Sequence, residues 1–185
     1  QAVVSASGTL QAVTTVQVGS QISGQIKELH VDFNSVVKRG QLLARIDPES
    51  FQLKVRQSEA DLEATRTALL QRESDAAAQR SQLIRARITH EDATRDLQRK
   101  ESLVQKGFIS SADRDKAQFT ERGAAEAIRT TEAQVRSADA QVANAAATIM
   151  QRQAALASAR NDLEKTAITA PVNGVVISRQ VDAGQ

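Results

Sequence analysis

The side chains in this sequence able to do chemistry are few. They are His30 and His90, a dense population of carboxylates, Lys116 in the tripeptide DKA, and the residues around KGFISS at 106–111. Two histidines far apart in the sequence do not make a metal site, which needs three or four His, Cys, Asp or Glu ligands. His90 opens the run HED, without a second ligand at helical spacing; it reads as a packing or surface residue, as does His30. The carboxylates stand among Arg and Lys, where i,i+4 pairs add a few tenths of a kcal/mol to a helix. No nucleophile has a base and an orienting partner, and no glycine-rich loop is set to cradle phosphate. The expectation is a protein that is not an enzyme, with no cofactor and no metal.

The stretch RKESLVQKGFISSADRD, residues 99–115, is suited to recognition rather than catalysis. Gly107 suits the left-handed conformation that ends a helix, and Lys106 is favourable at a helix's negative end. Ser110 or Ser111 suits the cap of a second helix, with Asp113 in its first turn. Arg99 and Leu103, at i and i+4, share one face of the incoming helix. Phe108 and Ile109 occupy the turn as an exposed apolar pair, where plain turn residues would serve.

Long helices must carry this turn. From Glu49 to Leu163 there is no proline, and glycine occurs only at 107 and 123. Val55, Leu62, Leu69, Ala76, Leu83, His90, Leu97 and Val104 recur every seven residues; after the turn Ile128, Val135, Val142, Ile149, Leu156 and Leu163 do the same. A sustained seven-residue repeat specifies a seam between supercoiled helices. The companion row of the second helix is mostly alanine, with Arg152 the exception; that of the first (Ser58, Thr65, Arg72, Gln79, Ala86, Ala93, Lys100) is more polar, so the seam is thin. The predicted arms, 49–104 and 111–163, are nearly equal, each ~80 Å long at 1.5 Å per residue. Gly123 reads as a tolerated glycine costing ~1 kcal/mol, or as a flex point.

Composition agrees. Aromatics make up 2% of the chain, too few for a large globular core. The 24 basic and 22 acidic residues interleave to a net charge of +2, which argues against a nucleic-acid partner. Cysteine is absent, so there is no disulfide frame and no thiolate chemistry. No apolar run approaches the ~20 residues that cross a bilayer. The chain starts at Gln1 without a signal peptide, as a mature chain or a piece of a longer protein would.

Short β-branched stretches broken by glycine flank the helices. In the first, SGQIKELHVD, Gly24 is followed by Val31-Asp32; in the second, NGVVISRQVD, Gly174 is followed at the same interval by Val181-Asp182, and each half then reaches a Gly-Gln pair. One β-motif is used twice, with a helical hairpin inserted between the copies. Asp47-Pro48 opens the insert, with Asp47 as cap and Pro48 at the first helical position.

The residues VGSQISGQIKELHVDFNSVVKRGQLLARIDPESFQ and LEKTAITAPVNGVVISRQVDAGQ resemble the halves of a lipoyl/biotinyl-type domain split by a hairpin, as in the periplasmic adaptors or membrane fusion proteins (HlyD-like) of tripartite efflux and secretion systems. VGSQISGQ is most similar to the macrolide-exporter adaptor type. The resemblance implies a mixed α and β fold: a split lipoyl-like β-sandwich with a long antiparallel coiled-coil hairpin between its halves. It implies residues 1–12 as a strand leading from a mostly absent β-barrel domain, 13–47 and 165–185 as the lipoyl-like halves, and 48–164 as the hairpin with its tip at 105–111. It further implies a location in the periplasm with inner-membrane anchoring of the full-length protein, a homo-oligomer of six copies, a TolC-like outer-membrane channel as one partner, and an inner-membrane transporter as the other. An ABC transporter is the favoured type and a proton-driven RND transporter the alternative. The cargo class is drugs, toxins or other small molecules.

In such adaptors an Arg, a Leu four residues on and a Ser seven further dock onto the channel; here these are Arg99, Leu103 and Ser110, flanking the tip turn Gly107, Phe108 and Ile109. The apolar pair at the turn then has a reason, since it becomes buried on assembly. Two points depart from the related patterns. Carrier lysines sit in a DKA turn between the lipoyl halves, but Lys116 falls in a helix ~80 Å from the sheet. Macrolide-type adaptors place a Gln before the glycine of the last loop as a gate, where this sequence has Ala183. Two readings from other classes remain: a lipoyl-type carrier, which would gain mass on lipoylation, and a plain coiled-coil scaffold. The lateral faces of the hairpin read as ordinary charged surface.

Overall fold

The computed structural model describes residues 14–182 and 184; the strand expected within 1–12 and the Ala183 position lie outside the described residues. The elements run β1 (Ile26–Leu29), β2 (Val36–Val37), β3 (Leu42–Ile46), α1 (Glu49–Gln105), α2 (Ser111–Glu164), β4 (Ala167–Thr169) and β5 (Gly174–Val175). Contacts divide the chain into two units: Gln1–Arg56 with Ala157–Gln185, and Gln57–Leu156.

The first unit is built from both ends of the chain. β1, β3 and β4 form one antiparallel sheet in that order, and β2 pairs with β5 in a second. Each sheet therefore joins a strand from before the helices to one from after them. Ala44 opposes Ile168, and Val36 opposes Val175. Side chains alternate along β3, with Ala44 and Ile46 buried and Arg45 exposed, as a pleated strand with one covered face requires. Val37, Ala170 and Thr166 complete this small core. Thr166 is polar yet buried; its hydroxyl donates to the Leu163 carbonyl at 2.7 Å, so its desolvation is compensated. Gly24 is required by proximity: a Cβ there would stand 2.5 Å from Cγ2 of Ile46.

The two copies of the β-motif are not equivalent in outcome. SGQIKELHVD contributes the four-residue strand β1, whereas NGVVISRQVD pairs only at Gly174–Val175. Beyond Val176, which still bonds to Ser35, Ile177 and Val181 are exposed, and the chain next meets β1 where Gly184 N–H donates to the Ile26 carbonyl. Like patterns thus form different elements, because a strand needs a partner as well as a pattern.

Local chemistry starts α1. Asp47 Oδ1 accepts from the Glu49 N–H at 3.4 Å, Pro48 takes the first helical position, and its carbonyl accepts from Gln52.

The second unit is an antiparallel pair of helical stretches. Along the helices the seven-residue rows named above are buried or half-buried, and the seam-row exceptions are Arg72 and Arg152, which are exposed. Leu62, Ala76, Ala93, Ala117 and Leu156 are its most buried apolar residues. Burying a leucine contributes ~1.5–3 kcal/mol and an alanine much less, so the seam is weakest where alanines meet. Ion pairs span the helices on one side, Arg80–Asp139 at 2.6 Å and Arg87–Glu132 at 3.1 Å. His90 sits on the seam and bonds Glu121 at 2.9 Å, both half-buried. Arg72 leaves its seam position to donate to Gln141 at 3.1 Å.

Candidate docking site at the hairpin tip

The turn between α1 and α2 spans residues 106–110. Gly107 adopts φ +73°, the left-handed region, where nothing would obstruct a Cβ; glycine is favoured by the backbone rather than by space. Two reversed bonds close the helix end: Phe108 N–H to the Leu103 carbonyl at 3.0 Å, and Gly107 N–H to the Val104 carbonyl at 2.9 Å. This is the Schellman pattern, which satisfies carbonyls that would otherwise be orphaned. Ser110 caps α2: its oxygens accept from the Asp113 N–H, and its hydroxyl donates to Asp113 Oδ2 at 2.8 Å. Of the two candidate caps, Ser110 carries the bonds and Ser111 begins the helix.

Leu103 is half-buried one turn beyond Arg99 on α1, while Arg99 and Ser110 are exposed. Phe108 is 73% exposed, but Ile109 is half-buried, so the apolar pair presents one ring rather than two open side chains. The Arg99 guanidinium is steadied by Asp96 at 3.0 Å, and Lys100 reaches the other oxygen of the same carboxylate at 3.1 Å. Lys100, supported by Arg99, holds the Asp96 carboxyl below its ordinary value of 3.8, against a smaller opposing effect of desolvation. Arg99 retains donors for a further partner, since a guanidinium has five N–H groups.

Two groups escaped the sequence reading. Asp96 lies at i−3 from Arg99 and i−4 from Lys100, a spacing that was legible. Glu121, the partner of His90, would have been found by stepping the Ile128 row back seven residues. Lys116 lies in α2, in the third of its residue pairs after the cap, and is exposed. Among the described residues no group of three or more His, Cys, Asp or Glu is placed to hold a metal ion, and no helix is long and apolar enough to cross a membrane.

The barrel-sandwich hybrid domain of RND membrane fusion proteins, "RND MFP, barrel-sandwich hybrid domain", matches residues 14–185. The chain belongs to this membrane fusion protein family. It is 33% identical over 181 residues to multidrug resistance protein MdtN of Shigella flexneri, covering 92% of this chain and 53% of that protein. It is 35% identical over 181 residues to macrolide export protein MacA of Yersinia pestis, covering 97% of this chain and 41% of that one. The chain thus spans about half the length of such relatives. Among solved structures, a MacA–MexA chimera containing the Pseudomonas aeruginosa MexA α-hairpin superposes with a TM-score of 0.51 at 29% identity, over 94% of this chain and 42% of that one. The mixed fold expected from the sequence, a split β domain with a long helical insert, is that of this membrane fusion protein.

Proposed function

We propose that this membrane fusion protein is a periplasmic adaptor that joins an inner-membrane transporter to a TolC-like outer-membrane channel and conducts small molecules between them without catalysing a reaction. The observation that carries the reading is the tip: a turn closed by hydrogen bonds among its own residues, presenting Phe108, Arg99 and Ser110 to solvent with Leu103 half-covered beside them. Such a turn holds its shape before a partner arrives, so little ordering cost accompanies docking. Leu103 enters a small apolar groove between the channel's helices, Arg99 donates its remaining N–H groups to their carbonyls or carboxylates, and Ser110 positions the start of α2. Gly107, Phe108 and Ile109 shape the tip. Six copies form the tube, and the full-length protein is anchored at the inner membrane. The segments 13–47 and 165–185 act as the lipoyl-like halves and 48–164 as the hairpin.

An ABC transporter is the favoured inner-membrane partner, supported by the likeness to a macrolide export protein. An RND-type partner is the second reading, favoured by the family description itself.

Arg99→Asp or Leu103→Asp is expected to abolish capture of the channel in pull-down while leaving the far-UV circular dichroism unchanged. Capture that survives both substitutions rejects the tip assignment.

A further inference from the structure

Most glycines among the described residues have a structural reason. A Cβ at Gly24 would strike Ile46, and Gly40, Gly107 and Gly184 adopt positive φ. Gly174 has neither reason: its φ is not positive, and a Cβ built there would meet nothing within 4 Å. What it has is a chemical setting. Without a Cβ its backbone nitrogen is unshielded, and that nitrogen follows directly on the side-chain amide of Asn173.

Asn173 is exposed at the entry to β5, and its Oδ1 accepts from the Arg39 N–H at 2.7 Å. This bond ties the loop after β4 to the turn after β2. The same N–H would stabilise the charge that develops on Oδ1 when a nucleophile adds to Cγ, as a donor in an oxyanion hole does. Gly174 pairs with Val37 in β2 and β5, strands of two residues each. The outer side chains of that pair, Val36 and Val175, are 75% and 50% exposed. So short a ladder with so little cover opens locally before the rest of the unit, and opening frees the Gly174 nitrogen. The other asparagines among the described residues are guarded. Asn34 is followed by Ser35, whose N–H donates to the Asp32 carbonyl at 3.1 Å. Asn144 and Asn161 lie inside α2, where the next N–H is committed to the helix.

We infer that Asn173–Gly174 is a site of spontaneous covalent modification, through which the closure of the β unit ages. The Gly174 nitrogen attacks Asn173 Cγ, forming an N–C bond that closes a cyclic imide. The side-chain nitrogen leaves as ammonia, taking the proton that the backbone nitrogen gives up. Water then opens the ring. Cleavage of the new Cγ–N bond restores the ordinary backbone with aspartate at 173; cleavage of the original peptide C–N bond leaves the chain running through Cγ as isoaspartate. The two products differ in what they do to the fold. Aspartate keeps an oxygen where Oδ1 accepts from Arg39, and a carboxylate accepts at least as well as an amide. Isoaspartate adds a carbon to the main chain ahead of Gly174, which shifts Val175 against Val36 and takes the acceptor of the Arg39 bond into the backbone. The damage lies in the isomerised linkage and not in the new charge.

The test is to hold the full-length protein for days in mildly alkaline buffer, digest it in acid and follow the peptides by mass spectrometry. The peptide carrying Asn173 is expected to gain about one dalton and to split into two isomers, one of them a substrate for protein L-isoaspartyl methyltransferase. It should convert about tenfold faster or more than Asn144 and Asn161 in the same molecules, and faster still in urea too dilute to unfold the helices. Gly174→Ala meets no obstacle, so it should keep the wild-type Tm while slowing the conversion about tenfold or more. Aged wild-type protein should lose Tm, whereas aged Gly174→Ala and fresh Asn173→Asp should not, and methyltransferase with S-adenosylmethionine should restore the loss. Conversion at Asn173 no faster than at Asn144 and Asn161, or undiminished in Gly174→Ala, overturns the site. Wild-type Tm in protein fully converted to isoaspartate keeps the site and overturns its effect on the closure.

Discussion

The tip and the β unit hold their backbones by opposite means. At the tip, every bond that turns the chain joins residues at most five apart: Phe108 to Leu103, Gly107 to Val104, Asp113 to Ser110. In the β unit the bonds that matter cross the whole insert, as when Ile46 N–H donates to the Thr166 carbonyl, or Arg39 N–H to Asn173 Oδ1 across 134 residues. A locally closed turn can vary its exposed side chains without endangering the fold. A closure assembled from both ends of a chain cannot, because each end supplies what the other lacks. The contrast leaves the exposed side chains of the tip free to vary and puts the cost of folding in the β unit.

The largest expected effect tests the second half of that contrast. Ile46 is 2% exposed and touches the space that Gly24 leaves open. Ile46→Ala should destabilise the β unit by about 2–5 kcal/mol, read as a fall in Tm. Gly24→Ala should also destabilise it, because its Cβ meets Cγ2 of Ile46. In the Ile46→Ala background the same change should cost less, since the obstructing methyl is gone and the new one fills part of the cavity. Additive costs would show that this contact does not close the core of the β unit.

A pair of glycines sharpens the comparison within the helical region. Gly107→Ala meets no steric obstacle but must hold φ +73°, at about 1–2 kcal/mol. Gly123 lies within α2, and a Cβ there would likewise meet nothing, so Gly123→Ala should stabilise by about 0.5–1 kcal/mol. Chemical denaturation should therefore show opposite signs for one and the same substitution. Equal signs would mean that the tip conformation, and not glycine's freedom, is misassigned.

What was legible in the sequence follows the same division. Gly107, Ser110, Asp113, Asp47 and Pro48 act on neighbours within a turn, and their types declare their roles. The seven-residue rows were legible because a helix repeats its faces. The close approach of Gly24 to Ile46 and the acceptance by Thr166 were not, since the partners are distant and nothing in a single segment names them. The second β-motif misled for that reason: NGVVISRQV has a strand's pattern, but among the described residues beyond Val176 the next backbone bond is the one Gly184 makes to Ile26. At the tip, Arg99 and Leu103 were singled out by resemblance alone, whereas Asp96, which steadies Arg99, was available from i,i+3 spacing.

Asp96 gives the smallest effect and the finest test of whether the tip is shaped by local bonds. Its carboxyl titrates below the ordinary 3.8 because Lys100 and Arg99 stabilise the ionised form. A depressed folded-state pKa contributes stability that is complete above the unfolded value and fades as pH falls through the folded one. The last turns of α1 should therefore stay intact down to about pH 4 and fray only below it. The pair is exposed, so the effect should appear in the chemical shifts of residues 96–105 rather than in Tm. Asp96→Asn should abolish this acid-dependent step while leaving the Gly107 turn in place, because the bonds to Leu103 and Val104 do not involve the carboxylate. If the turn itself melts in Asp96→Asn at neutral pH, then the tip depends on side-chain charge as well as backbone closure, and its contrast with the β unit is one of degree.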